Sequence, residues 1–66
     1  MTQKIRMDLI QGIAEDAVAR VERGEFTADD MADAIDAVSA TADAFMEELT
    51  DEEIEKAAQL VLDDLA

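Results

Sequence analysis

The chain has 66 residues, 18 Asp and Glu against five Lys and Arg, a formal net charge of -13, and no His, Cys, Trp, Tyr or Pro. Residues 1–66 suffice for a single domain, which excludes a multidomain enzyme, and the missing residue types exclude thiol and imidazole chemistry, the usual zinc sites and a disulfide framework. The anionic excess argues against direct contact with nucleic acid, whose phosphates are bound by cations that displace counterions, and disfavours anionic membranes for the same reason.

Half of the residues are hydrophobic, and their regular spacing separates the chain from disordered sequences of similar charge. No apolar run approaches the ~18 residues of a membrane span. Lys4, Arg6 and Asp8 stand where a secretory signal would place an apolar block. A soluble, cytoplasmic protein without cofactor or metal is expected.

The first predicted helix covers residues 3–23. Ile5, Leu9, Ile10, Ile13, Ala14, Ala17, Val18 and Val21 spread over roughly 180° of its wheel, wider than the stripe of about 100° that one core contact requires. Arg20 and Arg23 occupy its last turn, where the dipole favours cations, and Gly24 marks its stop. Gly12, inside the helix, costs about 1 kcal/mol relative to alanine, which either a close packing contact or a tolerated defect would explain.

The second predicted helix covers residues 28–48. Thr27-Ala28-Asp29-Asp30 reads as a capping box with Asp in the returning position, and Phe26 with Met31 as its hydrophobic staple. Met31, Ile35, Val38, Ala42, Phe45 and Leu49 follow a 4-3-4-3-4 spacing and are expected to form a buried seam, with Met31 and Met46 filling the core. Asp29, Asp33, Asp36, Asp43 and Glu47 fall within roughly 80° of one another on the opposite side.

The third predicted helix covers residues 51–65. Thr50-Asp51-Glu52-Glu53 is a full capping box, with Leu49 and Ile54 as staple. Ile54, Ala57, Ala58, Val61 and Leu65 make one stripe, Leu62 borders it, and Leu60 lies off it. With thirteen alanines and no proline, strands are not expected. The fold class is all-α, a small three-helix bundle. The wide apolar arc of the first helix and the stray Leu60 point to self-association through Ile10, Val18 and Leu60, giving a helical homodimer or other homo-oligomer.

Charge is unevenly placed along the chain. Residues 1–23 balance Lys4, Arg6, Arg20 and Arg23 against Asp8, Glu15, Asp16 and Glu22, whereas residues 24–66 hold the other fourteen acids and only Lys56. Helix dipoles account for Asp29, Asp30, Asp51, Glu52 and Glu53 at the predicted first turns. They do not account for the rest. Asp29 with Asp33 and Asp43 with Glu47 are like charges at i,i+4, each unfavourable by a few tenths of a kcal/mol, roughly. Glu47, Glu48, Asp63 and Asp64 fall at predicted C-termini, where the dipole disfavours anions.

An anionic face of Asp29, Asp33, Asp36, Asp43 and Glu47, extended by Glu48, Asp51, Glu52 and Glu55, is therefore expected to bind a basic protein surface. Carboxylates at i, i+4 and i+7 stand about 6 and 10 Å apart along a helix, a spacing comparable to phosphates on one strand. The expected function is non-catalytic: a nucleic-acid mimic that occludes the basic groove of a DNA- or RNA-binding protein. In size, acidity and helical character the whole chain resembles the phage-encoded DNA-mimic inhibitors of restriction and CRISPR systems. That resemblance is one of composition, without a residue motif, and implies a nuclease or CRISPR effector as partner, met in the host cytoplasm.

Two other readings account for parts of the pattern. The abundance of Asp, Glu and Ala resembles proteins of halophilic archaea, although salt adaptation would also decorate the first helix, which is balanced. A small helical adaptor or assembly subunit would instead work through the apolar face of the first helix, with the acids conferring solubility.

Overall fold

A computed structural model describes residues 6–66, so Lys4, Ile5 and the start of the expected helix 3–23 lie outside the described residues. Three helices follow, α1 (Met7–Glu22), α2 (Met31–Ala44) and α3 (Asp51–Leu65), with no strand among the described residues. Each helix packs against the other two, forming a small three-helix bundle. The third helix has the bounds that its sequence signals give. The second is shorter than expected at both ends, and its terminal chemistry explains why.

At the end of α1, Gly24 adopts φ +83. It donates its N–H to the Val21 carbonyl at 3.0 Å, while the Glu25 N–H returns to Arg20 at 2.9 Å. This is a Schellman stop, and glycine supplies the left-handed turn without a Cβ clash. The start of α2 corrects the capping box expected at Thr27. Asp30 is the cap, extended at φ -143 and accepting from the Asp33 N–H at 3.0 Å. Both residues are good caps, and a start at Asp30 leaves an extended approach in which Phe26 and Ala28 both pack half-buried against the core.

The end of α2 also differs. Met46 takes φ 58, the one non-glycine left-handed residue among those described. The Glu47 N–H then returns to the Ala42 carbonyl at 3.0 Å and the Met46 N–H to Asp43 at 2.9 Å, a second Schellman stop built without glycine. A side chain in that conformation costs about 1 to 2 kcal/mol. The helix therefore ends at Ala44 rather than at 48. Phe45 is left 43% exposed and Met46 92% exposed, so neither fills the core as the periodicity suggested. Leu49, beyond the turn, still packs on the core.

At α3 both halves of the predicted capping box form. The Glu53 N–H donates to Thr50 Oγ1 at 3.2 Å, and the Thr50 N–H donates to Glu53 Oε1 at 3.0 Å. Leu49 and Ile54, the staple pair, are both half-buried against the core.

Seven alanines, Ala14, Ala17, Ala34, Ala37, Ala42, Ala57 and Ala58, make up most of that core, with Ile10, Ile13, Val18, Val38 and Val61 as its larger members. Small side chains permit close axial approach but bury little area each. On α2 the inward face is Ala34, Ala37, Val38, Thr41 and Ala42, so the buried stripe is rotated from the expected seam and Met31 and Ile35 lie at its edge. The buried Thr41 hydroxyl is satisfied by the Ala37 carbonyl at 2.7 Å.

The breadth of the apolar arc on α1 has an internal explanation, since α1 faces α2 and α3 together. Ile10 is fully buried and Val18 only 8% exposed. Ile10 is thus a core residue and cannot serve the self-association face assigned to it. Around Gly12 a Cβ would meet nothing within 4 Å, so the glycine answers to no close packing contact.

Candidate functional site

The fourteen acids of residues 24–66 divide by their local surroundings. Asp33 lies three residues after its cap, in the first turn of α2, where the dipole favours an anion. Asp29 precedes that helix and Glu47 follows it, so the two like-charge pairs expected one helical turn apart are not helical neighbours. Asp51 and Glu52 are exposed in the first turn of α3. Asp36 and Asp43 remain as anticipated, exposed within α2. They stand on the side opposite the buried stripe, roughly 10 Å apart along the axis.

Glu53 belongs to a different environment. Its side chain is 3% exposed, yet none of its oxygens is orphaned. Arg6 grips it in a fork, Nε to Oε2 at 3.0 Å and Nη2 to Oε1 at 3.0 Å. The backbone N–H groups of Arg6 and Thr50 donate to the same carboxylate at 3.3 and 3.0 Å. Arg6 and Thr50 are the cap residues of α1 and α3. One carboxylate therefore satisfies donors at two helix starts, where both dipoles favour negative charge.

The guanidinium fork, followed by the Thr50 N–H, holds Glu53 at a pKa of about 2, below the ordinary 4.5. The same bond to Glu53 raises Arg6. Arg6 also donates from Nη2 to the Glu48 carbonyl at 2.8 Å and approaches Glu47 Oε2 at 3.7 Å. One arginine thus ties the start of α1 to the connection between α2 and α3. Sequence reading found the Thr50 half of this cluster, whose partners are three residues apart. It missed the Arg6 half, whose partners are 47 apart.

Cations meet few of the remaining acids. Among the described residues the ion pairs of residues 24–66 are Arg6 with Glu47 and Glu53, and Arg20 and Arg23 with Glu25. Asp43, Glu47 and Glu48 come together around a hollow of about 320 Å³ that is floored by Ala42, Leu49 and Ile54. Glu52 and Glu55 border a separate hollow together with Lys56, Met31 and Gln59. Asp29, Asp33, Asp36 and Asp51 line neither hollow. The nine-residue face is thus resolved into an outward edge of α2 leading to the Asp43 hollow, and an α3 portion softened by Lys56.

Of the apolar residues singled out for self-association, the buried Val18 and the half-buried Leu60 share one surface depression. They line a shallow groove of about 190 Å³ between α1 and α3 with Ala14, Gln11, Glu15 and Asp64. Among the described residues no cluster of carboxylates could hold a metal ion, and no helix is long and apolar enough to cross a membrane. No family model matches the chain, and no curated protein or solved structure is significantly similar to it.

Proposed function

We propose that the protein acts by binding rather than by catalysis, presenting the anionic edge of α2 and the Asp43 hollow to the basic groove of a DNA- or RNA-binding protein. The observation that carries this reading is the placement of Asp36 and Asp43. Both are exposed on the outward side of a helix, and among the described residues neither is accounted for by a cap, a first turn or an ion pair. A folding requirement would intersperse lysines there, which relieve repulsion at little cost. Instead no basic residue occurs from Gly24 through Glu55.

The electrostatics favour fast association. An uncompensated negative field steers a cationic surface towards it and makes the complex sensitive to salt. Occlusion then follows from occupancy, because a groove filled by carboxylates is closed to phosphates. A nuclease or CRISPR effector met in the cytoplasm is the partner class that this chemistry fits best.

Competition tests the reading. The immobilised protein, exposed to host extract, should retain a nucleic-acid-binding protein that excess duplex DNA or RNA releases. Retention unaffected by either nucleic acid would place the contact outside the groove and refute mimicry. A protein that folds only in molar salt and retains no basic partner would point to salt adaptation instead.

A further inference from the structure

The corner between α2 and α3 needs a left-handed turn to end the helix, but neither a methionine in that turn nor an exposed apolar pair. Phe45 and Met46 are exposed there, and Met46 holds the left-handed turn in which glycine is the default residue. An exposed thioether contributes no core packing in return for that strain. Strained backbone retained without a packing reason accompanies functional surfaces. Asp43 lies two residues before the pair and Glu47 and Glu48 directly follow it; these acids rim a neighbouring hollow floored by Ala42, Leu49 and Ile54, which Phe45 and Met46 do not themselves line.

We propose that this corner is the apolar anchor of the anionic surface, and that its occupant is a basic amphipathic helix of the partner. The inference rests on the reading of the partner as cationic, and adds where and by what element it is gripped. Exposed apolar side chains next to charged ones can carry the energetically dominant contact of such a surface. Methionine is unbranched and polarisable, so it adapts to the apolar stripe of a helix. Lysines or arginines flanking that stripe, one turn away, face the carboxylates of Asp43, Glu47 and Glu48. A wholly polar cationic partner would leave Phe45 and Met46 unused.

Two synthetic helical peptides of equal charge test this, one with leucines at i, i+3, i+4 and i+7 and lysines on the remaining face, the other with alanine in place of leucine. The protein carries ¹³C-methyl methionine, so that Met46 and Met7, exposed on α1, report separately. The leucine peptide should bind roughly tenfold tighter, equivalent to about 1.4 kcal/mol, and shift the Met46 methyl while leaving that of Met7 in place. Met46→Gly, which suits the turn, should fold at least as well and lose most of the preference. Equal affinity for the two peptides, a shift confined to Met7, or a preference retained by M46G overturns the anchor. The anionic reading survives those outcomes, since its own test is release by nucleic acid. Preference for the leucine peptide without any partner released by nucleic acid overturns that reading and leaves the anchor standing.

Discussion

Ile10→Ala should leave most molecules unfolded at room temperature. Ile10 is fully buried and belongs to a core of which seven members are alanines. Its larger neighbours are few, so the cavity left by three missing carbons has little that can close it. Such truncations cost about 2 to 5 kcal/mol, while a single core in a domain this small rarely supplies more than ~3 to 5 kcal/mol of net stability. The loss consumes the margin. Urea titration followed by far-ultraviolet circular dichroism should show the midpoint falling towards zero, equally at low and high protein concentration. That independence separates a core role from a role in self-association, for which dilution of the parent would mimic the substitution. An unchanged midpoint would mean that Ile10 is not buried as described.

The second large effect concerns the carboxylate shared by two helix starts. Glu53→Gln keeps the shape and the ability to complete the Thr50 capping box, but removes the charge that answers Arg6. The guanidinium then faces an amide that cannot accept its fork. Arg6→Ala does the converse, leaving a carboxylate that is 3% exposed without its main donor, and a shielded carboxylate stripped of its partner is destabilising. Either fall in melting temperature should exceed the several degrees expected of Thr50→Ala, which loses a cap worth about 1 kcal/mol.

The pH dependence has a definite sign. Glu53 is depressed from 4.5 to about 2 in the folded chain, so the folded state resists protonation that the unfolded state accepts. Its stabilising contribution is present in full above pH 4.5 and is lost as pH falls towards 2. Melting curves of the parent and E53Q should therefore converge over that window. Titration of the other acids is common to both proteins and cancels in the difference. A gap that stays constant from neutral pH to pH 2 would show that the ionised carboxylate is not what joins the helices.

The parts of this structure that were legible in the sequence are the locally encoded ones. Thr50 and Glu53 are three residues apart, and their capping box forms as read. Gly24 ends α1 because glycine declares a left-handed turn by its identity. Met46 makes the same turn without declaring it, so periodicity alone carries the helix four residues too far and places Phe45 and Met46 in a core that they do not enter. The start of α2 offered two good caps, Thr27 and Asp30, and only the packing of Phe26 and Ala28 favours the second.

These end points matter for the candidate site. Moving the ends of α2 releases Asp29 and Glu47 from the helical face, gives Asp33 a first-turn explanation, and leaves Asp36 and Asp43 as the acids that still require one. The fork from Arg6 to Glu53 was illegible because it spans the bundle, and no periodicity links residues so far apart. It also consumes part of the field, since Arg6 pairs with Glu47 as well.

What distinguishes a recognition surface from mere acidity is place. D36N/D43N and D63N/D64N each remove two charges, the first from the outward edge of α2 and the second from the end of α3, and all four positions are exposed. Affinity for the retained basic partner, measured for both at one ionic strength, tests the proposed edge most directly. Loss of two close charge contacts should weaken binding about tenfold or more in D36N/D43N, while D63N/D64N binds nearly as the parent does. Equal losses in the two variants would mean that only net charge matters and that α2 presents no recognition surface.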